Sequence, residues 1–174
     1  MEFMKGYLHV YTGDGKGKTT SALGLALRSA GSGKRVFFAQ FIKGQLYSEI
    51  KALERYSDLV VTRQFGLGCL LFSEPVAEDI EAAREGLRET ERAMLSGDYQ
   101  LVVFDEANIA LRYKFFTLDE LMEVINRRPP GVEVVVTGRD APPQLIEAAD
   151  LVTHMQQVKH YYQSGVSARL GIEY

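Results

Sequence analysis

The sequence is short of the residues that most often carry chemistry by themselves. It holds one cysteine, Cys69, and three histidines in 174 residues, which excludes an internal disulfide framework and leaves a His/Cys metal centre poorly supplied. Any bound metal is therefore expected to rest on carboxylate, hydroxyl and phosphate oxygens. There is no tryptophan. No apolar run approaches the roughly 18 residues of a membrane span. The opening MEFMKGYLHVYTGDG has no signal-peptide hydrophobic stretch before polar loop residues begin. A soluble protein of the reducing cytoplasm is the expectation. Neither sign of charge dominates: 20 Lys and Arg against 23 Asp and Glu give a net charge of −3, which argues against a nucleic-acid partner gripped through its phosphates.

What is present describes one folding unit spanning residues 1–174, 46% of them hydrophobic, enough for a sizeable core at this length. Short apolar runs alternate with helix-like stretches, the mark of βαβ units on a largely parallel sheet. Strands are predicted at Tyr7–Tyr11, Arg35–Phe41, Leu59–Phe65, Leu101–Asp105, Val132–Thr137 and Leu151–His154. Several are apolar at consecutive positions, as strands covered on both faces should be. Between them, Lys18–Ala30 is rich in Ala and Leu, Ser48–Tyr56 is short, and Val76–Leu95 spaces its apolar residues by three, four and seven. Thr117-Leu118-Asp119-Glu120 has the pattern of a capping box and opens a helix to about Arg127. Pro142-Pro143 pre-sets a last short helix through Ala149. The fold class is α/β: three layers, α/β/α, with a mostly parallel sheet of the phosphate-loop NTPase kind.

The strand Tyr7–Tyr11 runs into Thr12-Gly13-Asp14-Gly15-Lys16-Gly17-Lys18-Thr19-Thr20 and then a helix. That context makes a Gly-Lys-Thr string a phosphate loop rather than a glycine-rich turn capping a helix. Glycines let backbone N–H groups turn around an anion, the helix start adds its positive dipole end, and Lys18 supplies an ammonium for phosphate oxygens. The hydroxyl of Thr19 or Thr20 can ligate Mg²⁺. One departure from GxxxxGK[ST] stands out, since Thr12 takes the first glycine's place. Leu101–Phe104 followed by Asp105-Glu106 reads as the second half of such a site, a carboxylate at a strand's carboxyl end facing Mg²⁺ or its water. Arg139, after another strand end, either reaches a phosphate or pairs with a nearby carboxylate. His9 reads as a core or edge histidine and Cys69 as an inert buried thiol.

These stretches, with Gln40-Phe41-Ile42-Lys43-Gly44, Arg128-Pro129, Val136–Arg139, Ala149–Thr153 and the tail Val158-Lys159-His160, Gly165-Val166, Ala168 and Gly171–Tyr174, resemble the corrinoid adenosyltransferases of the bacterial cobalamin pathway. The resemblance covers nearly the whole chain, and the tail is its most specific part. It implies that Co(I) of a reduced corrinoid attacks the ribose C5′ of ATP and displaces inorganic triphosphate. Such a nucleophile has no proton to lose, so no general base is called for, in keeping with a sequence that shows no Ser-His-Asp or Cys-His pattern.

The resemblance further implies ATP and Mg²⁺ at Gly13, Asp14, Gly15, Lys16, Gly17, Lys18, Thr19, Thr20 and Arg139, with Lys18 and Glu106 as the catalytic pair and Thr19 and Glu106 on the metal. The corrinoid side falls to Lys43, Phe65, Gly66 and Gly68. Relatives usually carry tryptophan there, whereas this chain reads Gln45–Glu49 and Phe65–Ser73. A loop dense in Leu and Phe suits a flat apolar ring, and suits equally a buried crossover or a patch covered by a partner subunit. An electron-donating flavoprotein is the implied source of Co(I). A homodimer is expected because one domain of this size hardly encloses a corrin. Two rivals remain: a kinase or ATPase transferring a phosphoryl group, and a non-catalytic nucleotide- or corrinoid-binding module.

Overall fold

Among the described residues the apolar runs pair into one parallel sheet of six strands. The computed structural model describes residues 5–44, 47–66 and 76–174. The strands are β1 (Leu8–Thr12), β2 (Val36–Phe41), β3 (Val60–Phe65), β4 (Leu101–Asp105), β5 (Glu133–Thr137) and β6 (Leu151–His154), in the spatial order β3-β2-β4-β5-β1-β6. All five pairings are parallel. The helices are α1 (Lys18–Gly31), α2 (Ser48–Leu53), α3 (Ala77–Leu95), α4 (Ala107–Arg112), α5 (Leu118–Asn126) and α6 (Pro143–Ala148). Among the described residues no helix is long and apolar enough to cross a membrane.

Because successive strand residues face opposite sides, the central strands feed two cores. Val36, Phe38, Leu101, Val103 and Val135 face α1, whose buried stripe is Ala22, Ala26 and Ala30. A helix whose fully buried apolar residues are alanine can lie close on a sheet, with Leu23 and Leu25 packing at its flanks. Phe37, Phe41, Val102, Phe104, Val134 and Val136 face the other way, toward buried residues of α3, α4, α5 and α6. At the carboxyl end of that second core Phe41 stacks parallel to Phe104, ring centres 6.2 Å apart, and meets Phe116 edge-on at 5.5 Å. This aromatic floor lies directly beneath the residues that follow β2 and β4.

Sequence and structure agree on all six strands, with Leu101–Asp105 and Leu151–His154 matching at both ends. Thr117 and Glu120 exchange the two capping-box hydrogen bonds at the start of α5. Three differences have physical causes. The expected helix Ser48–Tyr56 is α-helical only to Leu53 and tightens into a 3₁₀ turn at Glu54–Tyr56. α4, six residues long, is too short to show a period in the sequence. β6 is exposed along its whole length rather than covered on both faces, because it forms the edge beyond β1. His9 serves the fold: its Nε2 lies 2.6 Å from Glu133.

Gly86 sits in α3 where an added Cβ would fall 2.4 Å from the ring of Phe65. Helix propensity alone favours Ala over Gly by about 1 kcal/mol, but this ring is buried and cannot swing away. Gly86→Ala is therefore expected to destabilise the protein by about 1–3 kcal/mol, read as a fall in the urea midpoint at unchanged slope.

Candidate functional site

The chain leaves β1 into a loop of close contacts. Gly13 and Gly17 have φ of +97° and +123°, the left-handed side that glycine adopts without strain. Added Cβ atoms at Gly13 and Gly15 would lie 2.5 and 2.7 Å from the carbonyl oxygen of Met155, where the chain leaves β6. That carbonyl accepts from the Gly15 amide at 2.7 Å, so one loop N–H is committed to the fold. Thr12, in the first glycine's place, is the last residue of β1, where extended backbone has no need of glycine. Its Oγ1 accepts from the Ala141 amide at 3.2 Å, tying loop to sheet.

Lys18 is buried, and its Nζ donates to the carbonyls of Gly13 and Gly15 at 2.6 and 2.8 Å. Burial lowers its pKa, opposed by the negative charge of Glu106. The ammonium thus bridges its own loop, poised at the mouth.

Asp105 is fully buried at the end of β4, and four side-chain donors converge on it. Oδ1 accepts from the hydroxyls of Thr19 at 2.9 Å and Thr137 at 2.7 Å. Oδ2 accepts from Gln40 Nε2 at 3.1 Å and Lys43 Nζ at 3.2 Å. Gln40 is in turn held by Gln64 Nε2 at 3.0 Å. The carboxylate that Thr19 touches is Asp105, while Glu106, the other half of the expected metal pair, lines the same cleft. Glu106 lies one residue on, in a left-handed conformation with φ of +60°, and its amide bonds back to Thr137. That turn sends its side chain to the cleft wall instead of beneath it. Burial, and then the adjoining charge of Asp105, push the Glu106 pKa up against the pull of Lys43, Lys18 and Arg139.

Backbone strain gathers on this rim. Ile42, Glu106 and Asp140 follow the carboxyl ends of β2, β4 and β5, and all three have φ between +56° and +67°. For non-glycine residues such a conformation costs about 1–2 kcal/mol apiece.

Above the loop opens a cleft of about 740 Å³, walled by residues 14–20, Lys43, Tyr47, Glu106, Arg139 and residues 171–174 of the tail. The expected nucleotide residues Asp14, Gly15, Lys16, Gly17, Lys18, Thr19, Thr20 and Arg139 all line it, with Gly13 behind. Arg139 Nη1 is 3.9 Å from Asp14 Oδ1, both side chains more than half exposed. Such a loose pair is readily exchanged for a phosphate.

The corrinoid residues are brought together less well. Lys43 lines the cleft but is engaged by Asp105 and lies 5.3 Å from the ring centre of Tyr47. Burial is the largest influence on its pKa and lowers it, yet Asp105 and Glu106 together outweigh that and the net shift is upward. Phe65 is no free wall: its ring is in the core against Phe41, over Gly86. Gly66 has its backbone pressed against Ile42 and Lys43, where an added Cβ would come within 2.6 Å of the Ile42 carbonyl carbon. Gly68 and Cys69 lie outside the described residues.

Mg²⁺ fits the donors present. Among the described residues no group of three or more His, Cys, Asp or Glu side chains is arranged to cage a metal. A hydroxyl and a carboxylate 2.9 Å apart, with room for phosphate oxygens and water, is instead the form in which phosphate-loop proteins hold Mg²⁺. Sequence reasoning missed Asp105 as the hub, Gln40 as its support and the tail as a wall. The buried Gln within β2, at the same pairing level as Asp105, was the available signal.

Residues 4–174 match the family model of the ATP:corrinoid adenosyltransferases BtuR/CobO/CobP. A corrinoid adenosyltransferase of Pseudomonas aeruginosa is 39% identical over 98% of this chain and 84% of its own. One from Escherichia coli K12 is 34% identical over 98% and 86%, and one from Salmonella typhimurium 33% over the same shares. The RadB recombinase, at 17% identity and a TM-score of 0.57 over 91% of this chain and 78% of its own, shares the fold.

Because Glu106 binds its proton more tightly folded than unfolded, it opposes folding wherever it is ionised. That penalty is complete above the raised folded pKa and disappears below the ordinary Glu value of about 4.3. Glu106→Gln is expected to be the more stable protein at neutral pH in nucleotide- and metal-free buffer, with the two denaturation curves converging below about pH 4.

Proposed function

The chain belongs to the ATP:corrinoid adenosyltransferase family, and we propose that the cleft over its phosphate loop is where the 5′-deoxyadenosyl group of ATP passes to the cobalt of a reduced corrinoid. The observation that carries the assignment of roles is the convergence of Lys18, Thr19 and Asp105 under that cleft. In the reaction the Co(I) electron pair forms the bond to C5′, the C5′–oxygen bond breaks, and inorganic triphosphate departs with the bonding electrons.

No proton is moved at the reacting atoms, so the protein's work is approach geometry and stabilisation of the leaving group. The amides of residues 14–20, the start of α1 and Lys18 receive the phosphates. Thr19 and Asp105 would hold Mg²⁺, which when bound would supply positive charge beside the triphosphate. Lys43, Thr137 and Gln40 hold the Asp105 carboxylate in place through their hydrogen bonds. Glu106, on the wall, contacts the nucleotide or its metal, and Arg139 moves from Asp14 to a phosphate. Lys43 and Tyr47 border the side open to the corrinoid, and an electron-donating flavoprotein supplies the Co(I) state.

A second copy of the chain completes the corrinoid side. Support for a partner as such, though not for its place at the corrinoid side, comes from β6, an edge strand with Leu151 and Val152 each about 40% exposed.

Protein mixed anaerobically with Mg-ATP and a chemically reduced corrinoid should yield the cobalt–carbon absorption spectrum together with triphosphate, and Lys18→Ala should yield neither. ADP or free phosphate without an alkylcobalt product would overturn the reading in favour of phosphoryl transfer. Light scattering should give a mass near twice the 19.5 kDa of one chain.

A further inference from the structure

One wall of the cleft is made by the chain's own tail, and that wall ends in an anion. Glu173 gathers donors from three places. Lys16 Nζ lies 2.8 Å from its Oε1, the Tyr161 hydroxyl donates to the same oxygen, and the Arg169 amide donates to Oε2 at 2.8 Å. Lys16 also donates to the Ile172 carbonyl at 2.6 Å. The tail is anchored independently of Lys16: Tyr161 and Arg169 fix Glu173 from within it, and Ser48 Oγ donates to the Tyr174 carbonyl at 3.1 Å from across the cleft. Lys16, Tyr161 and Arg169 hold the Glu173 carboxyl far below the usual range, and Glu173 raises Lys16, so both groups are charged at neutral pH.

Lys16 stands between Gly15 and Gly17 in the phosphate loop, with its side chain 41% exposed. Two of the three donors of its ammonium are therefore taken up by the tail, although the loop it belongs to binds phosphates. We propose that Glu173 is an internal competitor for the phosphate loop, holding Lys16 in place of a phosphate oxygen and so limiting how tightly the loop retains inorganic triphosphate. The inference rests on the triphosphate site proposed above. It concerns the end of the reaction: triphosphate leaves as a detached, highly charged anion, and a loop with every cation free would keep it. A carboxylate that reclaims Lys16 weakens the product complex without occupying the reacting centre. Glu173 is on this view a positioning residue, acting through Lys16.

A purely structural clip predicts something different. If Glu173 only fastens the tail, removing its charge loosens the wall and weakens binding or leaves it unchanged; a competitor, once removed, makes binding stronger. The test is calorimetric titration of the full chain with inorganic triphosphate in the presence of Mg²⁺, for wild type, Glu173→Gln, Lys16→Met and the double variant. Glu173→Gln should bind triphosphate about fivefold more tightly, the upper range for an exposed ion pair. Lys16→Met should bind more weakly, and the double variant no more tightly than Lys16→Met alone. Unchanged or weaker binding by Glu173→Gln would overturn the proposal, as would equal tightening in the Lys16→Met background, which would mean a general charge effect. A wild-type protein that fails to bind triphosphate would overturn the phosphate-site reading as well. Normal wild-type binding without tightening overturns the competitor alone.

Discussion

One buried carboxylate organises the carboxyl edge of this sheet. Asp105 has no contact with solvent, and an ionised carboxylate taken out of water must be compensated by nearby donors. It receives two hydroxyls, an amide and an ammonium, contributed by the start of α1, the end of β5, the interior of β2 and the residue two beyond that strand's end. Each donor is placed by a different element, so satisfying the charge fixes the mutual position of all of them. Removing one partner of such a buried group typically costs about 3–5 kcal/mol. Stability and the shape of the phosphate site thus depend on the same contacts.

The strained residues around it follow from the same demand. A strand that simply ran on past its end would carry Glu106 away from the mouth. The left-handed turns at Ile42 and Glu106 place Lys43 and the Glu106 side chain in the cleft wall, and the one at Asp140 follows directly on Arg139 of the same wall. The aromatic floor of Phe41, Phe104 and Phe116 gives those turns a rigid base, which is how local strain is sustained in a folded protein.

Much of this was legible beforehand. Strand runs of Val and Phe, the glycine-rich loop before an alanine-rich helix, and the capping box at Thr117 each express a local rule, and each appears in the structure where the rule puts it. Which of Asp105 and Glu106 gathers the donors Thr19, Thr137, Gln40 and Lys43 was not legible, because it depends on a left-handed turn at Glu106 that a glutamate rarely adopts. Nor could the sequence show that Phe65 turns inward: an aromatic at a strand end is compatible with either face until α3 supplies Gly86 as its seat. The role of the tail escaped for a similar reason, since Lys16 and Glu173 are 157 positions apart and meet only through the order of the strands. The likeness to corrinoid adenosyltransferases located the tail as distinctive without saying what it touches.

The alanine stripe of α1 acts as a spacer gauge. Ala22, Ala26 and Ala30 set how closely the helix axis rides on β4 and β5, and that clearance fixes the height of Thr19 above Asp105. Ala26 is seven residues from Thr19, about 10 Å along the axis, and touches nothing in the cleft, yet one added methyl group there would tilt the helix and lift its first turn. A larger residue on the stripe would therefore need a smaller one opposite, at Val103 or Val135, so that the thickness of this layer is a property of both faces together and of positions remote from the cleft.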